Sequence, residues 1–216
     1  MGKVTLSFDN GPETSATPGV LDCLHRCGAK ATFFVLGRNV SLPAGRAIAA
    51  RAVEEGHWVG NHTFTHTRPL GELDRSAALD EFEQTERALA WLPASPRLFR
   101  PYGRGGLLGT HLLHPAVVER LQARGYSCVL WNCVPGDWHD PDGWPERAIA
   151  DCRSRDWSLV VLHDISTRSM SHLDRFIGCL KEEGFELVQE FPPACVPIVG
   201  GTIVLPIEPY LTARDT

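Results

Sequence analysis

Two histidines, His62 and His66, directly follow a short predicted strand, and a spacing of four residues allows both to bind one metal ion. A hydrolytic zinc site needs three protein ligands and one open position for water. Asp9 and Asn10 end another apolar run and are the candidates for the third ligand. These residue types predict metal-assisted hydrolysis, with an amide at position 10 where a charged carboxylate would bind a divalent cation more strongly.

Other polar side chains stand at the ends of further predicted strands. Arg100 ends one strand, Asp137 lies beyond the next, and His163 follows another. Each has a structural explanation when taken alone, since an aspartate often caps a turn and a single buried histidine often only completes a hydrogen-bond network. Their occurrence at the ends of different strands favours one shared site.

Alternating apolar and amphipathic segments must position these side chains. The predicted strands are residues 4–8, 31–36, 57–60, 98–100, 126–131, 158–162 and 185–188. The first predicted helix opens with Thr17 as N-cap, and the others are residues 45–55, 73–92, 115–124, 144–153 and 171–183. This alternation predicts an α/β fold with a parallel sheet. About seven strands with polar residues at their carboxyl ends favour a distorted (β/α)7-type barrel, in which those ends build the site.

The length of 216 residues suits one large domain. We expect that domain to span residues 1–190. The Pro-rich tail, residues 191–216, is expected to pack on the barrel or on a neighbouring subunit, and residues 201–205 would suit one more strand. A monomer or a homodimer is expected.

Charge, hydropathy and cysteine content indicate which partners and which cellular location to expect. A net charge of −5 with alternating signs argues against a nucleic-acid partner, and no stretch approaches the ~18 apolar residues of a membrane span. Seven scattered cysteines without a secretory signal predict reduced thiols in the cytoplasm. Cys23 and Cys27 have the spacing of half a zinc site but no partner pair in the sequence, so we interpret them as one packed helix face.

Five segments carry the polar residues in order: 7–12 (S-F-D-N-G-P), 56–66 (G-H-W-V-G-N-H-T-F-T-H), 99–103 (F-R-P-Y-G), 131–138 (W-N-C-V-P-G-D-W) and 162–164 (L-H-D). Together they resemble the motifs of the polysaccharide deacetylases of the NodB-homology type, carbohydrate esterase family 4. The first motif of that family reads T-F-D-D-G-P and the third R-P-P-Y. The resemblance covers residues 4–188 and implies a hydrolase that removes N-acetyl or similar acyl groups from an amino-sugar oligosaccharide or conjugate.

The resemblance also implies the catalytic roles. Asp9 would be the general base, and Arg100 would orient it. His163 would protonate the departing amine as the general acid, and Asp137 would fix its tautomer. The backbone N–H of Tyr102 would help to stabilise the oxyanion.

The metal and substrate contacts follow from the same resemblance. His62, His66 and Asn10 would bind a divalent metal, with zinc expected. Trp138 and Leu162 would contact the acetylated amino sugar.

Three features depart from the family pattern. Asn10 stands in place of the acidic ligand, and Val134 occupies a position where many relatives carry another aspartate. The third motif is one residue short, which makes Arg97 an alternative to Arg100 as the partner of Asp9.

Asn10 leaves three hypotheses open. The favoured one is a metal-dependent N-deacetylase with reduced metal affinity, in which neutral ligands leave the full charge of the metal to activate water. The second is a catalytically impaired carbohydrate-binding pseudoenzyme of the same fold, and the third is a metal-independent amide or imide hydrolase. The Asn10–Gly11 dipeptide is also a favoured deamidation site, and deamidation would restore an acid at this position.

Overall fold

The computed structural model describes residues 2–92 and 96–213. Its strands are Lys3–Asp9 (β1), Ala31–Val35 (β2), Trp58–Asn61 (β3), Leu98–Phe99 (β4), Ser127–Cys128 (β5), Trp157–His163 (β6), Glu186–Val188 (β7), Ile198–Val199 (β8) and Thr202–Ile203 (β9). They form one sheet in the order β6-β1-β2-β3-β4-β5-β8-β9, and β7 pairs with Lys3–Thr5 of β1. Strands β1 to β6 pair in parallel, as the alternation predicts.

The sheet curls into a half-barrel. After β5 the chain crosses toward β6, where Cys133 forms an isolated parallel bridge with Val160. The N–H of Val161 donates to the carbonyl of Cys133 at 2.9 Å. The distorted (β/α)7-type fold is therefore confirmed. Only Ser127–Cys128 of the predicted strand 126–131 is regular. The N–H of Val129 still donates to the carbonyl of Phe99 in β4, but that of Leu130 donates to the carbonyl of Cys195 instead, so the pairing with β4 ends there.

Helices connect the parallel strands. They are Thr17–Cys27 (α1), Gly37–Val40 (α2), Pro43–Glu54 (α3), Arg75–Ala88 (α4), Pro115–Ala123 (α5), Trp144–Arg153 (α6), Thr167–Met170 (α7) and Leu173–Glu182 (α8). The prediction of Thr17 as N-cap is wrong, since Ala16 occupies that position and Thr17 is already helical. The Thr17 hydroxyl donates instead to the carboxylate of Asp164 at 2.6 Å.

The alternation along β1 separates the core from the site. Val4, Leu6 and Phe8 pack into a buried apolar cluster with residues of helices α1, α6 and α8. Ser7 and Asp9 are also buried but hydrogen-bond to Arg100. Because successive side chains of a strand point to opposite faces, one short segment supplies both the core and the polar interior.

The segment after residue 190 adds a small antiparallel hairpin to the sheet. Ile198 of β8 pairs with Cys128 of β5, and β9 pairs with β8. The predicted strand 201–205 is thus present only as Thr202–Ile203. The division of the chain at residue 190 stays a prediction, and residues 214–216 lie outside the described part. Across residues 2–92 and 96–213, no helix combines the length and apolarity needed to cross a bilayer.

Candidate active site

Asp9 and Arg100 form a buried ion pair at the carboxyl end of β1. Nη1 of Arg100 donates to Oδ1 of Asp9 and to the hydroxyl of Ser7, each at 2.8 Å. Nε and Nη2 of Arg100 donate to the carbonyls of Val129 and Leu130 at 3.2 and 3.3 Å. Arg100 is completely buried, so its charge depends on these partners. The arrangement fixes Asp9 with its second oxygen, Oδ2, not held by the guanidinium.

Arg97, the alternative partner of Asp9, lies elsewhere. Its guanidinium is partly exposed, pairs with Glu86 at 3.8 Å, and lies over the ring of Tyr126. The shortened third motif therefore still directs Arg100 to Asp9. Ser7, which sequence reasoning did not select, is part of this arrangement and faces the same side of β1 as Asp9. The period-two pattern of the strand could have identified it.

His62 and His66 lie side by side, with ring centroids 4.7 Å apart. Nδ1 of His62 lies 2.8 Å from the carbonyl of Arg100, so it carries the proton and leaves Nε2 bare. Nε2 lies 3.5 Å from Oδ2 of Asp9. Burial outweighs the attraction of Asp9 and lowers the pKa of His62. Burial, followed by the repulsion of His62 and His163, lowers the pKa of His66 to about 2. Both imidazoles are therefore neutral, as metal ligands must be.

The side-chain oxygen of Asn10 is buried and has no hydrogen-bond partner among the described residues. A buried unpaired amide oxygen is costly and calls for an explanation. Asn10 lines the same cavity as His62 and His66. Two neutral imidazoles and an unpaired amide oxygen are donors that fit a divalent cation.

The backbone around these donors adopts a rare conformation. Asn10, Thr63 and His66 have φ values of +74°, +67° and +59°, and within the described ranges they are the non-glycine residues with positive φ. Such conformations cost about 1 kcal/mol or more each and cluster at functional sites. Asn10 suits its conformation better than most side chains, since asparagine is enriched there.

His163 and Asp137 form the second charged pair of the site. Both oxygens of Asp137 accept a hydrogen bond at 2.9 Å, one from the backbone N–H of His163 and one from its Nδ1. Burial alone lowers the pKa of His163. The hydrogen bond and charge of Asp137 outweigh burial, with Asp9 and Asp164 adding to them, so the pKa of His163 is raised above its ordinary value. The ring is thus held with Nε2 free and is stabilised in its cationic form.

These pairs face one open cavity of about 240 Å³. Its walls include Tyr102 and Trp138. The ring of Tyr102 lies tilted against His66 with ring centroids 3.8 Å apart, and the ring of Trp138 meets His163 edge-on with ring centroids 4.7 Å apart. Trp131 and Val134 line another wall. A Cβ at Gly103 would lie 2.2 Å from the ring of Trp131, so glycine is required for this loop to pack. The structure therefore brings together nine of the ten predicted site residues at one strand end: Asp9, Asn10, His62, His66, Arg100, Tyr102, Asp137, Trp138 and His163.

Leu162 is the exception, and its prediction as a substrate contact is wrong. Its side chain is completely buried in the apolar cluster behind the sheet. Its neighbours Val161 and His163 line the cavity instead. The alternation of β6 explains the difference, because adjacent side chains of a strand cannot face the same side. That pattern selects Val161, which sequence reasoning missed.

Asp164 supports the site from behind. Its Oδ2 accepts from the Thr17 hydroxyl, and its Oδ1 has no partner within the described part of the chain. A Cβ at Gly11 would lie 2.2 Å from this carboxyl group, so the loop after Asn10 depends on glycine. Burial raises the pKa of Asp164 to about 6, against the opposing hydrogen bond from Thr17.

The raised pKa of Asp164 predicts a pH-dependent stability. The protonated form is favoured in the folded protein, so its stabilising effect is complete below the unfolded pKa near ~4 and is lost as pH rises through about 6. Asp164→Asn removes this loss. The unfolding free energy of the variant relative to wild type is expected to rise by about 2 kcal/mol between pH 4 and pH 8, measured by urea denaturation. Asp80→Asn, at an exposed position of α4, is the matched control, with a change below about 0.5 kcal/mol. An equal difference at both pH values for Asp164→Asn would contradict the prediction.

The sequence is similar to those of known polysaccharide deacetylases. Residues 2–126 match the family model of polysaccharide deacetylase. The peptidoglycan-N-acetylglucosamine deacetylase PgdA of Listeria monocytogenes is 31% identical over 190 residues, covering 86% of this chain but only 37% of the relative. The chitooligosaccharide deacetylase of Bradyrhizobium sp. (strain ANU 289) is 32% identical over 212 residues, covering 85% of this chain and 87% of the relative.

Solved structures show the same likeness. The structure of the T48 deacetylase with substrate has a TM-score of 0.70 and 30% identity, covering 87% of each chain. A mutant of a carbohydrate esterase family 4 pseudoenzyme, with restored enzymatic activity, has a TM-score of 0.68 and 25% identity, covering 85% of this chain and 64% of that one. The family model spans more than half of the sequence, and both relatives exceed 30% identity over most of it. The chain therefore belongs to the polysaccharide deacetylase family, the NodB-homology type of carbohydrate esterase family 4.

Proposed function

We propose that this protein hydrolyses the N-acetyl group of an acetylated amino sugar, with Asp9 as general base and His163 as general acid. The observation that carries the proposal is that Asp9 and His163 line one cavity. Each is held from behind by a buried partner of opposite charge, Arg100 for Asp9 and Asp137 for His163. A carboxylate and a stabilised imidazolium on one cavity suit the two proton transfers of amide hydrolysis. The proposal includes a cytoplasmic location, supported by seven cysteines that form no disulfide.

The first proton transfer falls to Asp9. Arg100 holds Oδ1, so Oδ2 is the oxygen free to accept a proton from the attacking water. The water oxygen then bonds to the acetyl carbon. The developing oxyanion needs donors that face the cavity, and the backbone N–H of Tyr102 is our candidate.

The second proton transfer falls to His163. Asp137 occupies Nδ1, so the proton leaves from Nε2 to the amine nitrogen as the carbon–nitrogen bond breaks. Acetate and a free amine result. Trp138, which is 43% exposed beside His163, offers an aromatic face at the rim of the cavity to a sugar ring.

A divalent cation is part of the proposal. Deacetylases of carbohydrate esterase family 4 are generally metal-dependent. His62, His66 and Asn10 would bind the ion, which supplies Lewis acidity to polarise the acetyl carbonyl and the water. Because the amide brings no charge, we propose weaker metal binding than a carboxylate at position 10 would give. Zinc is our proposed metal, since imidazole suits it.

The test compares the metal-stripped wild type with Asn10→Asp on acetylated chito-oligosaccharides over a Zn²⁺ and Co²⁺ series. Activity is expected to rise with added metal in both proteins. Asn10→Asp is expected to reach half-saturation at a metal concentration at least about tenfold lower, since changes to outer-shell partners alone alter metal affinity about 10- to 100-fold and position 10 would be a direct ligand. Peptide mass analysis must show amide at position 10 of the wild type, because deamidated Asn10 would imitate the variant.

A second candidate function is a carbohydrate-binding pseudoenzyme. It is favoured by the uncharged ligand at position 10 and by the family resemblance to a structure of a reactivated pseudoenzyme. Sugar binding by calorimetry without hydrolysis at any metal concentration would support it and refute the deacetylase. Full activity in the presence of a chelator would instead indicate the metal-independent hydrolase. Such a reaction would not use His62 and His66 as metal ligands.

A further inference from the structure

Two cysteines of α1 and one aspartate of α8 form a cluster away from the active site. Sγ of Cys27 lies 3.3 Å from Oδ1 of Asp174, and the thiols of Cys23 and Cys27 contact each other. One donor atom from each of the three residues lies within 4.8 Å of the other two. The two cysteines are one helical turn apart, and α1 packs against α8. The structure thus supplies the third ligand that the sequence pattern of Cys23 and Cys27 lacks.

The cluster is buried at one end and open to solvent at the other. Cys23 is 5% exposed, Cys27 is half-buried, and Asp174 is exposed. Asp174 turns its other oxygen, Oδ2, toward Arg26 at 3.9 Å, so Oδ1 is the oxygen directed at the thiols. Cys23 and Asp174 also line a surface pocket between α1 and α7, which gives an ion a route from solvent.

Both thiols of the cluster are protonated when no cation is bound, and the nearby Arg26 and Lys181 act against the effect of Asp174 on their pKa values. Burial, the neighbouring thiol and Asp174 raise the pKa of Cys23 to about 12. Burial and the hydrogen bond to Asp174 raise the pKa of Cys27. Burial is the largest cause of both shifts, and the negative charge of Asp174 adds to it, so each thiolate is costly to form without a bound cation. A cation bound between the donors removes that cost, because it stabilises both thiolates at once.

The donor separations suit a tetrahedral ion. Zinc–sulfur bonds of ~2.3 Å and zinc–oxygen bonds of ~2.0 Å place tetrahedral ligands about 3.5 to 3.8 Å apart. Sγ of Cys27 and Oδ1 of Asp174 are 3.3 Å apart, and no two donor atoms of the cluster are more than 4.8 Å apart. The tetrahedral separations lie within this range. Two soft sulfur donors with one carboxylate select thiophilic ions over Mg²⁺ or Ca²⁺.

We propose that Cys23, Cys27 and Asp174 bind one thiophilic divalent cation, of which Zn²⁺ is the representative, with water as the fourth ligand. Binding releases the two thiol protons to solvent, and the sulfurs and one carboxylate oxygen donate electron pairs to the ion. The ion ties α1, which follows the Asp9–Asn10 loop, to α8, which follows β6 and His163. The site would therefore hold together the two segments that carry the catalytic acid and base.

The test is a Co²⁺ titration of the reduced, metal-stripped chain of 216 residues, followed by absorption spectroscopy. Thiolate-to-cobalt charge-transfer absorption is expected to saturate, with a final amplitude that corresponds to one thiolate-bound ion per chain, whether or not a second ion fills the site at His62 and His66. An ion at His62 and His66 has no sulfur ligand and gives no such band, so the result is independent of the proposed deacetylase function. Cys27→Ser is expected to reduce the band and to weaken binding at least tenfold. Asp174→Asn is expected to keep the band but to weaken binding at least about tenfold, since changes to the outer-shell partners of metal ligands already cost about 10- to 100-fold and Asp174 would be a direct ligand.

Cys179→Ser is the matched control, because Cys179 is a half-buried thiol of α8 outside the cluster. Its titration is expected to equal that of wild type. Cys27 and Asp174 lie at the surface side of the cluster, so their variants are expected to fold, which far-ultraviolet circular dichroism verifies. Absence of a charge-transfer band in wild type, or a band unchanged in Cys27→Ser, would overturn the proposal.

Discussion

Asp9→Asn is expected to lower kcat for deacetylation by about 10²- to 10⁴-fold, the range of contributions from a positioned general base. Asparagine keeps the shape of the side chain but cannot accept the proton of the attacking water. The variant also leaves the buried Arg100 guanidinium without a counter-charge, since Asp9 is its carboxylate partner at 2.8 Å. Breaking a buried ion pair in this way costs about 3 to 5 kcal/mol of unfolding free energy. Steady-state kinetics and urea denaturation measure the two effects separately.

Ser7→Ala is the control that separates orientation from proton transfer. The Ser7 hydroxyl accepts from the same Nη1 of Arg100 and donates to the carbonyl of Val160 at 2.9 Å. Its removal is expected to cost about 1 to 3 kcal/mol of unfolding free energy, with a smaller loss of kcat than for Asp9→Asn. If folded Asp9→Asn kept kcat within tenfold of wild type, Asp9 would not be the base.

The strand-end residues could be predicted because strand geometry is periodic. The sequence V-T-L-S-F-D places apolar side chains on one face of β1 and polar ones on the other, and the parallel pairing of β1 with β6 brings Asp9 opposite His163. Parallel strands with helical crossovers bring their carboxyl ends to one edge. This geometry explains why residues from five separate segments meet in one cavity.

What could not be predicted depends on contacts between distant segments. Leu162 lies within a recognised motif, but a motif gives a position in the chain and not the face of the strand. Thr17 has the composition of an N-cap, yet its hydroxyl pairs with Asp164, 147 residues away. Asp174 is equally far from Cys27, so nothing near the two cysteines signals a third ligand. In each case the local sequence is compatible with more than one arrangement, and contacts with a distant segment determine which one forms.

For Asn10, one property could be predicted from the sequence and another could not. Its position at the end of β1 follows from the strand pattern, whereas its buried, unpaired oxygen is visible only in the structure. A carboxylate at position 10 would place a second negative charge next to Asp9 in a buried site, which disfavours ionisation of both groups unless a cation is bound. An amide avoids that repulsion. We therefore expect Asn10→Asp to gain metal affinity and to lose stability when metal-free, which thermal denaturation with and without Zn²⁺ measures.

Asp137→Asn is expected to lower kcat by about 10²- to 10⁴-fold and to move the alkaline limb of the kcat/KM profile to lower pH. The general acid must be protonated in the free enzyme, so activity falls as pH rises through the pKa of His163. In wild type that pKa is raised, because the hydrogen bond and charge of Asp137 outweigh burial. Without the charge, burial dominates and the pKa of His163 falls.

Asp137→Asn is expected to change the orientation of the His163 ring as well as its pKa. An asparagine side chain offers one oxygen and one N–H₂ group, whereas Asp137 accepts from both the backbone N–H and Nδ1 of His163. One contact must therefore be lost, or the ring must adopt the other tautomer, as when the triad aspartate of serine proteases becomes asparagine. Asp140→Asn is the matched control, because it removes a nearby, partly exposed carboxylate that pairs with Arg147 and not with His163. An alkaline limb that is unchanged in Asp137→Asn, or shifted equally in Asp140→Asn, would show that Asp137 does not set the pKa of the acid.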